Sequence, residues 1–141
     1  MPKLVLVVDD NPGDLELIRQ AFQAADVPTA VETARDGEQA IARLAASTLP
    51  GGPRRPDLIV VDLNLPRLDG REVLARIKAD EILRRIPVVV MTSSKAEDDI
   101  VRSYDLGANC CIAKPLDVDE LFRVVRSLAC FWFTVATPSP R

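Results

Sequence analysis

Asp9, Asp10, Asp62, Thr92 and Lys114 are the residues of this chain whose types and spacing could do chemistry together. Each follows a short apolar run. Leu4-Val5-Leu6-Val7-Val8 leads into Asp9 and Asp10, and Leu58-Ile59-Val60-Val61 into Asp62; Val88-Val89-Val90-Met91 leads into Thr92, and Cys110-Cys111-Ile112-Ala113 into Lys114. If these runs are parallel strands of one sheet, their carboxyl ends share an edge, which is where open α/β sheets bind ligands. Three carboxylates gathered there repel one another, and Mg²⁺, with its preference for hard oxygen ligands, relieves that repulsion. A carboxylate beside the metal can attack phosphorus and form an acyl phosphate. A hydroxyl and an ammonium can then stabilise the transferring group. Singly, each residue has an ordinary structural use, since Asp after a strand often caps the next helix. The joint pattern is what points to phosphoryl transfer.

The elements that must position these residues are legible as an alternation of two periods. Lys3 to Val8 is an unbroken apolar run, as expected of a strand buried on both faces. After Asn11-Pro12-Gly13, Asp14 is expected to cap a helix that turns Leu15, Ile18, Phe22 and Ala25 inward. Thr29 to Thr33 is a weaker strand, and Asp36-Gly37 marks a turn before a helix with Ala40, Ile41 and Leu44 on one face. The stretch 49–56, rich in Pro and Gly, reads as an exposed loop. After the strand ending at Asp62, Val73, Leu74 and Ile77 form the inner face of a third helix. Pro87 opens a fourth strand, Lys95 to Tyr104 a more polar helix, and Asn109 to Ala113 a fifth strand. Asp117, with Glu120 three residues on, is expected to cap a last helix whose inner face is Val118, Leu121, Phe122, Val125 and Leu128. The result is a doubly wound (βα)5 parallel sheet of flavodoxin-like topology.

Composition narrows the function. The chain has 141 residues and a net charge of −3, one domain's worth of sequence. Basic residues form no stripe, which argues against a nucleic-acid surface. There is no histidine, so histidine acid–base catalysis and most zinc sites are excluded unless a partner supplies the imidazole. Cys110, Cys111 and Cys130 lack paired metal spacing and read as thiols in a reducing compartment. No secretory signal is visible, and no apolar run approaches the roughly 18 residues of a membrane span. The expectation is a cytoplasmic protein without nucleic-acid or membrane contact.

Val7-Val8-Asp9-Asp10-Asn11, Val61-Asp62-Leu63-Asn64-Leu65-Pro66 with Asp69-Gly70, Met91-Thr92-Ser93, and Gly107-Ala108-Asn109 leading to Lys114-Pro115 together resemble the receiver domain of bacterial response regulators. The resemblance covers roughly residues 3–129. It implies Asp62 as the phosphoacceptor, with Mg²⁺ held by Asp10, Asp62 and the backbone carbonyl of Asn64, and Asp9 acting mainly through water. It also implies Thr92 as the switch hydroxyl, Lys114 as the phosphoryl-binding cation, and a cis peptide at Lys114-Pro115. Receivers usually carry an aromatic residue three positions before the lysine. Here that switch position is Cys111, with Tyr104 or Phe122 as substitutes to consider.

Residues 1–129 are thus read as a receiver and 130–141 as a C-terminal extension. Phe131, Trp132 and Phe133 either extend the last helix over the sheet or form an exposed arm that dimerises; the second reading is preferred. This tail, the Asp9–Asp14 opening and the loop 49–56 resemble single-domain response regulators paired with phytochrome-type histidine kinases. The expected function is a stand-alone regulator, without an output domain, that takes a phosphoryl group from such a kinase onto Asp62. It would signal through protein contacts as a homodimer, and would catalyse only its own phosphorylation and dephosphorylation. A Mg²⁺-dependent aspartyl phosphohydrolase is disfavoured, because Asn64 stands where such enzymes place an acid. A phosphorylation-independent binding module is disfavoured because Asp9, Asp10, Asp62 and Lys114 are all present. A flavin-binding domain of this topology would need a phosphate loop after the first strand, and none is present.

Overall fold

The computed structural model describes residues 2–93 and 96–140. Strands and helices alternate in the order β1 (Lys3–Val8), α1 (Pro12–Gln23), β2 (Thr29–Ala34), α2 (Gly37–Ala46), β3 (Leu58–Val61) and α3 (Gly70–Ala79). After a 3-10 turn (Leu83–Arg85) come β4 (Val88–Thr92), α4 (Glu97–Asp105), β5 (Cys110–Ala113) and α5 (Val118–Cys130), which runs directly into a π-helical turn (Phe131–Val135). All four pairings are parallel, in the order β2-β1-β3-β4-β5. The chain order reverses beside β1, so the crevice at the carboxyl edge opens next to β1 and β3.

Strand period divides the core into two layers. Leu6, Val8, Ile59, Val61, Val88 and Val90 face α2 and α3. Their neighbours Val5, Val7, Leu58, Val60, Val89 and Met91 face α1 and α5. Because both faces are covered, the three central strands are apolar at all positions but their ends, Lys3 and Thr92, which is why they read as unbroken runs. Each fully buried Leu, Ile or Phe contributes about 1.5–3 kcal/mol of hydrophobic free energy before entropy is counted.

Most expected elements are present, with three corrections. Asn11, not Asp14, caps α1: its side-chain oxygen accepts the N–H groups of Gly13 (2.9 Å) and Asp14 (3.1 Å). Pro12 suits the first helical position because it has no N–H to satisfy. Lys114–Pro115 is trans, since no cis peptide occurs among the described residues; trans is the isomer an X–Pro bond favours by about 0.5–1 kcal/mol. Val118 is exposed, because the buried stripe of α5 begins one turn later at Leu121. Asp117 does cap that helix, through the Asp119 N–H at 2.9 Å, while Glu120 turns outward to Arg123. The expected start of the fourth helix at Lys95 lies outside the described residues.

The tail differs from the arm that was expected. Trp132 and Phe133 are half-buried against the layer of α1 and α5. Phe131 is half exposed and meets Trp132 edge to face, with centroids 5.1 Å apart. The spacing explains this: Val125, Leu128, Ala129, Trp132 and Phe133 follow one another at three and four residues, so the aromatics prolong the buried stripe of α5.

Candidate functional site

Register brings the carboxylates together. Val8 pairs with Val61, and the Asp62 N–H donates to the Val8 carbonyl at 2.9 Å, so Asp9 and Asp62 leave the sheet side by side. On the other flank Thr92 pairs with Ala113, and the Lys114 N–H donates to the Thr92 carbonyl at 2.8 Å. The five residues singled out by sequence therefore end adjacent strands at one edge.

Asp9 and Asp62 are 2 % and 6 % exposed, Thr92 is 4 % exposed, and Asp10 is open to solvent. Carboxylate oxygens of Asp9, Asp10 and Asp62 lie within 4.8 Å of one another. Asp9 Oδ1 accepts the Asn11 N–H (2.9 Å) and Asp62 Oδ1 accepts the Asn64 N–H (3.1 Å). The ammonium of Lys114 occupies the centre, donating to Asp9 Oδ2 (2.7 Å), Asp14 Oδ2 (3.0 Å) and Asp62 Oδ2 (3.0 Å). Burial pushes the Asp9 carboxyl up from its ordinary value, although the hydrogen bond from Lys114 pulls the other way. Burial also opposes the charge on Lys114, but its bonds to the three carboxylates outweigh this and raise its pKa. Three carboxylates hold one ammonium, and Asp10 adds a fourth acid beside Asp9 and Asp62. This excess of negative charge on hard oxygen donors, with one acid facing solvent, fits a divalent cation.

Asp14 is the site residue that sequence reasoning missed. Placed by Asn11 in the first turn of α1, it reaches Lys114 rather than its own helix end. Its position in the acidic opening after the first strand was the available signal. Gly70 also has a local reason: a Cβ there would stand 2.1 Å from the Asp62 carbonyl oxygen, so only glycine lets α3 start against the end of β3. Asp69 caps that helix through the Arg71 N–H at 2.8 Å.

The switch position Cys111 is half-buried on the α3 face, near α4. A cavity of about 120 Å³ lies between α4 and the sheet, lined by Leu63, Val90, Thr92, Ile100, Ser103 and Cys111 among others. Tyr104 does not fill it; its hydroxyl accepts the Cys111 N–H at 3.1 Å, fastening α4 to β5. Phe122 belongs to the opposite layer. Phe131, Trp132 and Phe133 lie past the far end of α5 and do not enter the site.

The chain matches the family described as response regulator receiver domain over residues 5–126. It is 40 % identical over 136 residues to the response regulator Rcp1 of Synechocystis sp., covering 96 % of this chain and 92 % of that protein. Among solved structures it resembles the phosphorylated cyanobacterial phytochrome response regulator RcpA, with a TM-score of 0.92, 47 % identity and full coverage of both chains. It also resembles the Mn²⁺-bound form of Rcp1, with a TM-score of 0.88, 40 % identity and coverage of 98 % and 99 %. Among the described residues no helix is long and apolar enough to cross a membrane.

Proposed function

Because the chain belongs to the response regulator receiver domain family, we propose that it accepts a phosphoryl group on Asp62 from a phosphohistidine of a partner kinase. The observation that carries this reading is the convergence of Asp9, Asp10 and Asp62 at the carboxyl edge, with Lys114 bonded to Asp9 and Asp62. An Mg²⁺ held by Asp9, Asp10, Asp62 and the Asn64 carbonyl would neutralise charge on the phosphoryl oxygens.

A carboxylate oxygen of Asp62 attacks phosphorus, the P–N bond breaks, and its electron pair leaves on the imidazole nitrogen. The product is an aspartyl phosphate, and the imidazole comes from the partner because this chain has no histidine. Lys114, already 3.0 Å from Asp62, moves its hydrogen bond to a phosphoryl oxygen, and the Thr92 hydroxyl donates to another. Water later attacks phosphorus, releasing phosphate and restoring the carboxylate. The phosphorylated state shifts a pre-existing equilibrium of the surface around Thr92 and Cys111.

Similarity to Rcp1 and RcpA supports a phytochrome-type histidine kinase as the donor. Phe131 and Val135, exposed on the π-helical turn, support a homodimer formed through the C-terminal segment. Light scattering should then show a dimer that Phe131→Ser converts to a monomer.

The deciding experiment is intact mass spectrometry after incubation with a small acyl-phosphate donor. One phosphoryl gain is expected, dependent on Mg²⁺ and absent from Asp62→Asn. No gain in the parent protein, with Mg²⁺ still bound, would overturn the reading.

A further inference from the structure

The edge of the sheet opposite Asp62 carries a second cleft, built from residues the phosphoryl chemistry does not use. Its walls come from the segments that precede β3 and β4: Arg54 to Asp57 on one side, and Ile82 with Arg85 to Pro87 on the other. Its volume is about 320 Å³, within the range of small-ligand sites. A smaller lobe of about 170 Å³ shares Arg85, Ile86, Pro87, Pro138 and Ser139 with it and is also lined by Trp132. The C-terminal segment thus bounds the groove instead of leaving it open along the surface.

The charge of this cleft is unbalanced. Among the described residues Asp57 is the acid in its lining, and it is already engaged by Arg54 (2.7 Å) and by the Leu4 N–H (2.8 Å). Lys78, in the smaller lobe, is occupied by the carbonyls of Arg84 and Ile86 and by Asn109. Arg55 and Arg85 have no acidic partner among the described residues, although the chain as a whole is acidic. Two free guanidinium groups from separate segments present planar forks that match phosphate oxygens bidentately. Between them Pro56, Pro87 and Pro138, with Ile82, offer flat apolar walls.

We propose that this cleft binds a nucleoside phosphate, its phosphates on Arg55 and Arg85 and its base against the proline walls. A compact ligand is favoured over an extended acidic peptide because Pro138 and Ser139 of the C-terminal segment form part of the lining of a cleft of small-ligand size. The site is independent of phosphorylation at Asp62.

The chain's single tryptophan, Trp132, lines the adjoining lobe and reports on occupancy. ADP is the probe, titrated without Mg²⁺ into the full chain, beside adenosine, inorganic phosphate and a glutamate-rich peptide. The expected result is a saturable change in tryptophan fluorescence with ADP, and much weaker responses to the other three. Arg55→Glu or Arg85→Glu should each raise the dissociation constant at least roughly tenfold. Neither should alter phosphoryl gain at Asp62, which shows that the variants remain folded. Four results overturn the proposal: no ADP binding by fluorescence and equilibrium dialysis, ADP binding indifferent to both charge reversals, equal binding of phosphate, or binding of the peptide in place of ADP.

Discussion

α5 and α4 flank the same strand, β5, yet they are held in opposite ways. α5 is capped by Asp117, buries Leu121, Val125, Leu128 and Ala129, and prolongs that stripe through Trp132 and Phe133. α4 has Ala96 at its N-cap, with no side chain able to cap, and among the described residues it buries Ser103 alone. Val101 and Tyr104 are about half exposed, and Ile100 is covered only in part where it borders the cavity of about 120 Å³ beneath the helix. Few buried apolar contacts and poor capping are the marks of an element that opens at low cost. The loosely held helix is the one that stands over Thr92. Under the proposed function, a phosphoryl group on Asp62 that drew on that hydroxyl would work against the more loosely held of these two helices.

Five substitutions would break or sharpen this contrast. Urea unfolding of Leu121→Ala should show a loss of about 2–4 kcal/mol, the usual cost of a truncated core leucine. The matching change on α4, Ile100→Ala, should cost under about 1 kcal/mol; equal losses would end the comparison. Trp132→Ala should cost about 2 kcal/mol, less than a fully buried aromatic, because the ring is half-covered. A tail that is only an interface would instead leave the monomer's stability unchanged. At the caps, Asp117→Ala should destabilise by about 1 kcal/mol, whereas Ala96→Ser should stabilise by up to about 1 kcal/mol.

The smallest effect concerns the adjacent thiols, which point into opposite layers, Cys110 toward α5 and Cys111 toward α4. Burial raises the pKa of both, so both should alkylate slowly at neutral pH. Phosphorylation should speed alkylation of Cys111 a few-fold and leave Cys110 unchanged, as read by peptide mass spectrometry. Parallel acceleration of both thiols would mean that the strand itself loosens, not α4.

The contrast also shows how much was legible in sequence. The central strands were readable because burial on both faces permits only apolar side chains, and their ends then located Asp9, Asp62 and Thr92 in one step; Lys114 follows the short apolar run of the edge strand β5. Asp10 followed from adjacency. Asp14 was placed in the right segment but given the wrong partner. Whether it caps its own helix or meets Lys114 depends on Asn11 taking the cap first, a competition that residue types leave open. In sequence the tail reads as a dimerising arm or an extension of the last helix, with the arm preferred. Helical spacing already ties Trp132 and Phe133 to Val125 and Leu128, while a dimer surface is not readable from spacing. The cavity beside Cys111 was not readable, because a void depends on how far α4 stands from the sheet.

The backbone bond from the Lys114 N–H to the Thr92 carbonyl joins the cation and the hydroxyl of the site through a single peptide proton. That proton exchanges with solvent only when the ends of β4 and β5 part. Its deuterium uptake is a clock for the opening of the site, independent of any side chain. If the aspartyl phosphate draws Thr92 and Lys114 together, this one amide should slow even as its neighbours across α4 quicken.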